Sequence, residues 1–203
     1  MAAIKPCVVY KETLDVSAME QVKLETVVAG AVRSKKVPVF MATHGVEGLL
    51  HVIDKFNKTA TRVAFQPGDL WDQFEEVLDT VSANKWNNQV QGIANNARTR
   101  NQFNTKLANF VHQHTGAVDP RDILIKHVKG DECHKPRKVD VQQHASRMET
   151  LCCIANRLIG NEPDFTEAQI KNIIFESFPA SWQNDYKKSH RDFDNDTVTN
   201  IVG

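Results

Sequence analysis

The chain has 203 residues, enough for one medium-sized domain or two small ones with real apolar cores. Hydrophobic residues make up 41% and charged residues 25% of the sequence, which is a globular composition and excludes a disordered chain. Lysine plus arginine equals aspartate plus glutamate, at 25 each, whereas a dedicated nucleic-acid-binding domain usually shows a basic excess.

Neither a membrane segment nor a disulfide framework is indicated. No apolar run approaches the roughly 20 residues needed to cross a bilayer, and the N-terminus lacks the apolar core of a secretory signal. The four cysteines are Cys7, Cys133, Cys152 and Cys153, and their spacings are irregular. We therefore expect reduced thiols and an intracellular protein.

Residues 1–45 differ from the rest because their short apolar runs are rich in β-branched residues. These runs are CVVY (7–10), VKLETVV (22–28) and KKVPVFMA (35–42). They predict extended segments that form a hairpin or an arm. Pro38 restricts the third run to an edge or irregular strand, because proline has no N–H to donate to a sheet.

From Val46 onward the apolar residues follow the 3.6-residue period of amphipathic helices. A break at Gln66-Pro67-Gly68 separates the first two helices, and Asp69 is placed to cap the second. Gly92 and an Asn-rich stretch end the third. The four successive apolar stripes are Val46, Leu49, Leu50, Ile53 and Phe56; Leu70, Phe74, Val77, Leu78 and Val81; Trp86, Val90 and Ile93; and Phe103, Leu107, Phe110 and Val111.

A linker is predicted at residues 115–118, which read TGAV. Asp119-Pro120 then begins a helix with aspartate at the cap and proline in the first turn. After the polar loop KGDECHKPRK (129–138), a long helix runs from Val141 to Ile159 and stops at Gly160-Asn161.

The clearest helix start in the chain is at Thr166. Thr166 and Gln169 have the spacing of a capping box, and Phe165 and Ile170 have that of a hydrophobic staple. This helix is expected to end near Phe178-Pro179, and another follows around Trp182 and Tyr186.

The predicted fold is all-α, with about eight or nine helices. It comprises two small helical-bundle lobes preceded by a short extended or β-hairpin segment. The N-terminal arm or hairpin covers 1–45, the N-terminal lobe 46–117 and the C-terminal lobe 118–203.

No catalytic constellation is evident. The sequence has no Gly-rich phosphate loop, no GxSxG and no HExxH motif. Cys133-His134 and His144 do not supply four zinc ligands, and adjacent Cys152 and Cys153 on a helix point about 100° apart. We expect no metal, no cofactor and no small-molecule substrate, and hence no enzyme. A Cys/His hydrolase built on Cys133 is the enzymatic alternative, and it requires a base within hydrogen-bond reach.

Two further sets of residues have competing interpretations. Lys135, Arg137 and Lys138 form a modest basic cluster that suits a weak RNA phosphate contact. Because aromatic stacking partners are missing, we favour a solvated loop. His112 and His114 are expected to interact with the C-terminus of their helix. The tryptophans Trp71, Trp86 and Trp182 suit either a core or an interface hot spot.

Four stretches follow one another in an order that is typical of one protein family. They are KVPVFMATHGVEGLLHVIDKF (36–56), LWDQFEEVLDTVSANKW (70–86), QFNTKLANFV (102–111), and the segment from VDVQQHASRMETL through DFTEAQIKNIIFESFPASW (139–182). In this order and spacing, over about residues 36–190, the chain resembles the Gag capsid region of long-terminal-repeat retrotransposons and retroviruses.

The resemblance implies N- and C-terminal helical lobes that self-assemble, as pentamers and hexamers, into a shell around the element's RNA. It implies that Gln142, Arg147 and Leu151 belong to a segment similar to the major homology region, with its polar network and core. However, Val141-Gln142-Gln143-His144 lacks the glycine and the acidic residue of the retroviral segment. The aromatics implied as lobe core or interface are Trp71, Phe74, Trp86, Phe103, Phe178 and Trp182.

The function implied is that of a structural Gag capsid protein, a homo-oligomer that forms cytoplasmic virus-like particles without a membrane. The alternative is a domesticated Gag-like or unrelated helical adaptor that binds partner peptides in an apolar groove.

Overall fold

The computed structural model describes residues 18–116, 120–129, 134–135, 139–157, 164–189, 192–193, 195–198 and 201. The chain divides into two compact units, and we call the described residues up to 116 the N-terminal unit and those from 120 onward the C-terminal unit. The described residues are mostly helical. The elements are β1 (Gln21–Val28), β2 (Ala31–Pro38), α1 (Gly45–Val63), α2 (Asp69–Glu75), α3 (Thr80–Val90), α4 (Arg100–Thr115), α5 (Pro120–Val128), α6 (Val141–Ala155), α7 (Glu167–Glu176) and α8 (Ala180–Lys188).

A β-hairpin begins the described part of the chain. Strands β1 and β2 pair antiparallel, from Gln21 opposite Pro38 at the base to Val28 opposite Ala31 at the tip. The two turn residues, Ala29 and Gly30, both have positive φ (51° and 79°), as a two-residue turn that matches the twist of the strands requires. The hairpin alternative for this segment is therefore confirmed, while the run at 7–10 lies outside the described residues.

The base of the hairpin belongs to the core of the N-terminal unit. Leu24 and Val37 are buried there with the helices. Immediately after β2, Phe40 donates its N–H to the carbonyl of Val77 (2.8 Å) and accepts the N–H of Asp79 (2.8 Å). Over its described residues, the segment that the sequence sets apart as 1–45 thus packs with the helices that follow it.

Helix α1 confirms the first apolar stripe and extends it. All five predicted stripe residues are buried, and the helix continues through Ala60 to Val63. Ala64, with φ 62°, ends it in the left-handed conformation. Its end at Val63 agrees with the break predicted at Gln66-Pro67-Gly68.

The second predicted stripe is wrong at its end. Helix α2 stops at Glu75, a new helix starts at Thr80, and Val81 is 61% exposed. The break occurs because the Asp79 carboxylate accepts the N–H of Ser82 at 2.7 Å, an N-cap bond that starts α3. The predicted cap at Asp69 is also wrong. Asp69 is the first residue of α2, and its carboxylate accepts the N–H of Gln66 at 3.2 Å.

Aromatic rings fill the N-terminal unit. Phe74 lies between Trp86, with ring centroids 4.8 Å apart, and Phe56, at 5.1 Å, and its ring also meets those of Phe103 and Phe110 at 5.8 Å. All four pairs are edge-to-face, the geometry that ring quadrupoles favour by about 0.5–1.5 kcal/mol per pair beyond the burial of area. This cluster fixes the arrangement of α1 to α4.

The C-terminal unit is built on α5, α6 and α7. Leu124 and Val128 bury the inner face of α5. The capping box at Thr166 and Gln169 is confirmed, with bonds of 2.9 and 3.2 Å. Helix α6 begins with Asp140 as its cap and ends at Ala155, earlier than the predicted Ile159, which lies outside the described residues with Gly160-Asn161.

Asn156 explains the early end of α6. Its side-chain amide donates to the carbonyl of Phe165 (2.9 Å), and its side-chain oxygen accepts the N–H of Phe165 (2.7 Å). These two bonds join the end of α6 to the residue before Thr166. The sequence offered no local signal for this pairing, because the partners are nine positions apart.

Candidate functional site

The three residues of the predicted major-homology-like segment occupy different environments on α6. Leu151 is fully buried in the C-terminal unit. Arg147 is half-buried, and Gln142 lies exposed in the first turn, where its N–H donates to the Asp140 carboxylate at 2.9 Å. Leu151 is thus a core residue of this unit, and the Gln142 side chain lies at its surface.

A buried polar pair lies elsewhere on this helix. The Nε2 of His144 is 2.8 Å from the Oγ of Ser177, and the Ser177 hydroxyl donates to the carbonyl of Ile174 at 2.6 Å. Since that hydroxyl proton is already used, Nε2 is the protonated nitrogen and donates to Ser177. The pair joins α6 to the end of α7, and the N–H of Lys135 donates to the Ser177 carbonyl at 2.8 Å.

The surroundings keep His144 neutral. Burial lowers its pKa to about 4, and the nearby charges of Arg147, Lys135 and His134 act in the same direction. Ser177 is 5% exposed and His144 is fully buried, so no substrate reaches the hydroxyl. The pair therefore acts as a structural link between helices. His144 lies on the buried face of α6 with Met148 and Leu151, an i, i+4, i+7 pattern that could have marked it as a core histidine.

An ion pair provides another link within the C-terminal unit. Arg121, which is 5% exposed, donates through Nη2 to the Asp164 carboxylate at 2.7 Å. The bond connects the first turn of α5 with the segment that precedes α7. Such a mixed pair, with one buried and one exposed partner, orients Arg121 without burying a second charge.

In the N-terminal unit, Asp79 joins the hairpin exit to α3. Its carboxylate accepts the N–H of Ser82 (2.7 Å) and that of Ala42 (3.2 Å). Burial by itself raises the pKa of Asp79, but these hydrogen bonds and the field of His114 outweigh it, so the pKa lies below its ordinary value. The charged carboxylate therefore holds residues 40–42 against the start of α3.

Two histidines accompany Asp79. His44 accepts the N–H of Met41 at Nδ1 (3.1 Å), and burial lowers its pKa against the opposing field of Asp79. His114 is 3% exposed, its ring is 4.5 Å from that of Phe110, and neither ring nitrogen has a hydrogen-bond partner. Burial lowers the pKa of His114 to about 4, aided by Lys85 and opposed by Asp79. Burial therefore disfavours the charged form of His114, which is the form that interacts best with a helix C-terminus.

The predicted aromatic residues are almost all buried. Within the described residues, only Trp182 reaches the surface, at 45% exposed. The buried ones are Trp71, Phe74, Trp86, Phe103 and Phe178. Trp86 also donates its indole N–H to the carbonyl of Trp71 at 3.1 Å, which satisfies a buried donor.

Large exposed apolar residues occur in both units. Val27 is 66% and Val32 65% exposed, and they face each other across the two strands at the hairpin tip. Val81 on α3 is 61% exposed. Among the described residues, Trp182 is the remaining large apolar side chain at the surface, and Val27 and Val32 form a cross-strand pair that a contact with another protein would remove from water.

The predicted RNA-contact residues are only partly described. Lys135 is half-buried, and its Nζ lies 5.3 Å from the centroid of the Trp182 ring. Arg137 and Lys138 lie outside the described residues, as does Cys133. Lys135 thus makes a cation–π contact within its own unit.

Among the described residues, no three histidine, cysteine or acidic side chains come together as metal ligands. Cys152 is buried and Cys153 is half-buried. No described helix is both long and apolar enough to span a bilayer. Comparisons with protein families, curated proteins and solved structures found no match to this chain.

Proposed function

We propose that the chain is a Gag-type capsid subunit of a long-terminal-repeat retrotransposon. In this proposal it assembles with copies of itself into a cytoplasmic virus-like particle that packages the element's RNA. The resemblance over residues 36–190 supports the proposal at the level of sequence. At the level of structure, the observation that carries it is the projecting hairpin with an exposed valine pair at its tip.

The half of the hairpin nearest its tip is exposed and is not covered by other described residues of the same chain. The first six residues of β2, 31–36, are all exposed, although the last two are buried. Within the described residues, no other strand pairs with either edge of this two-stranded sheet. Free strand edges and an exposed apolar pair both favour contact with another chain.

Trp182 on the C-terminal unit provides a second surface of the same kind. A heterologous contact repeated around an axis closes a ring, and a different contact is needed to join rings into a shell. The hairpin tip on one unit and Trp182 on the other are two different sites of this kind. Each contact can be small and weak, since many repeated contacts raise the total affinity through effective concentration.

Light scattering and negative-stain electron microscopy of the full chain, over a range of protein and salt concentrations and with added RNA, test assembly. The double variant Val27→Thr and Val32→Thr removes apolar area at the tip but keeps β-branched residues in the strands. We expect it to assemble only at higher concentration than the unchanged chain. Val81→Thr, an equally exposed valine on α3, is the matched control and is expected to assemble normally.

A chain that stays monomeric at every concentration, with and without RNA, contradicts the capsid proposal. Assembly that is equally impaired by the Val81 control contradicts the specific role of the hairpin. The RNA part of the proposal is tested separately, by whether RNA inside the assembled particles is protected from added nuclease.

A further inference from the structure

A cleft of about 370 Å³ opens on the C-terminal unit, where the end of α7 meets α8. This volume falls in the range of sites that hold small molecules or single side chains. Four aromatic residues and one carboxylate line much of it: Phe175, Phe178, Trp182, Tyr186 and Asp185. Trp182, Asp185 and Tyr186 share one face of α8, because they are three and four residues apart.

A second layer of contacts holds these walls in place. The Tyr186 hydroxyl donates to the Asp196 carboxylate. The Phe193 ring packs against those of Phe175 and Tyr186, with centroids 4.9 and 6.1 Å away. Lys171 donates from Nζ to the carbonyls of Phe193 (2.5 Å) and Asp196 (3.2 Å). The cleft is therefore formed before any ligand enters, which lowers the entropy cost of binding.

The chemistry of the lining favours a cation. The faces of aromatic rings carry partial negative charge and attract ammonium groups within about 6 Å. The Asp185 side chain is 76% exposed, and its pair with Lys188 is at 4.0 Å, the outer limit of an ion pair. Such a loose, exposed pair contributes little stability, so an incoming ammonium group can replace it.

Lysine–ring contacts already occur in this unit. The Nζ of Lys135 lies 5.3 Å from the centroid of Trp182, and that of Lys171 lies 4.8 Å from the centroid of Phe193. Lys135 is not among the residues that line the cleft, so the cleft itself holds no lysine ammonium from the described chain. The unit thus already shows the contact geometry that an ammonium group would adopt against the rings of the cleft.

We propose that this cleft binds the side chain of a lysine from a protein partner. The ammonium group lies among the aromatic rings and pairs with Asp185, while the alkyl chain of the lysine covers the apolar walls. Lysine supplies this charge as a compact ammonium at the end of a flexible stem. The proposal does not depend on the chain being a capsid subunit.

The test is a titration of the full chain with Nα-acetyl-lysine methylamide, followed through the tryptophan indole ¹H–¹⁵N signals. Trp71 and Trp86 are buried in the N-terminal unit, so Trp182 is the expected reporter among the three tryptophans. We expect a saturable shift of the Trp182 signal with a dissociation constant on the order of millimolar. The norleucine analogue, which has a similar stem but no charge, is expected to bind roughly fivefold more weakly.

Asp185→Asn is expected to weaken lysine binding about two- to fivefold. Glu149→Gln removes the same charge from an exposed position on α6 outside the cleft and is expected to leave binding unchanged. Equal affinity for the lysine and norleucine compounds, or an unmoved Trp182 signal, overturns the proposal without any variant. An equal loss in the Asp185 and Glu149 variants also overturns it, because binding would then follow only the overall charge.

Discussion

Replacing His114 by phenylalanine is expected to make the N-terminal unit less sensitive to acid. The pKa of His114 is about 4 in the folded protein, against an ordinary value of 6.5. The folded state therefore binds fewer protons than the unfolded state between these values. As a result, His114 leaves the free energy of unfolding unchanged above pH 6.5. It lowers this free energy progressively as the pH drops from 6.5 to 4, and the loss levels off below pH 4.

The size of the effect follows from linkage. At pH 5 the unfolded ring is almost fully protonated and the folded ring about one-tenth protonated, so His114 alone costs about 2 kcal/mol relative to neutral pH. The phenylalanine variant lacks the acid destabilisation that His114 causes. It keeps the acid destabilisation caused by His44, whose pKa is also lowered. At pH 7.5 the variant should be about 1 kcal/mol more stable, since two buried nitrogens without partners are removed.

Urea unfolding at pH 7.5 and pH 5, followed by tryptophan fluorescence, measures the difference. Trp71 and Trp86 lie in the aromatic core of the N-terminal unit and report on its unfolding. His112→Phe, at an exposed position two residues away on α4, is the control and should behave as the unchanged chain. The reasoning fails if the His114 variant loses as much stability on acidification as the unchanged protein.

Three other substitutions test contacts of the two cores. Ser177→Ala leaves the buried Nε2 of His144 without an acceptor, so it should lower the free energy of unfolding of the C-terminal unit by about 1–3 kcal/mol, measured in urea. The control Ser146→Ala, at an exposed position, should change this free energy very little. Thr166→Ala removes the cap of α7 and should cost about 1 kcal/mol, and no loss would show that the capping bond has no net value. Phe74→Ala should cost about 3–5 kcal/mol and abolish the near-ultraviolet dichroism of the aromatic core, and a retained spectrum would contradict the central packing role of this ring.

The sequence predicted correctly the features that depend on residues close together in the chain. The capping box at Thr166 and Gln169 and the stripe on α1 depend on residues within a few positions of each other, and both are confirmed. A second capping box, at Thr99 and Gln102 on α4, carries the same signal and was missed. Its three-residue spacing was readable in the same way as that at Thr166.

The features that the sequence did not predict depend on contacts between residues far apart in the chain. The apolar period in the sequence continues from α2 to Val81. In the structure the helix stops earlier, because Phe40 pairs with residues 77–79 and Asp79 caps a new helix. The sequence distance from Phe40 to Asp79 hides that pairing from any local pattern. Similarly, the buried His144–Ser177 pair spans 33 positions and was not predicted, whereas the resemblance pointed to Gln142, Arg147 and Leu151 for the polar network and core of this segment.

The two proposals share Trp182, but they are tested at different residues. Assembly is tested at Val27 and Val32 at the hairpin tip, whereas lysine binding is tested at Asp185. A chain that binds lysine but stays monomeric would favour the adaptor alternative, because a partner side chain would then be its only ligand. If Asp185→Asn weakens lysine binding but leaves assembly normal, the cleft takes its lysine from another protein and not from a neighbouring copy. If the same variant blocks assembly, the lysine comes from a second copy of this chain, and the cleft becomes one of the contacts that join subunits.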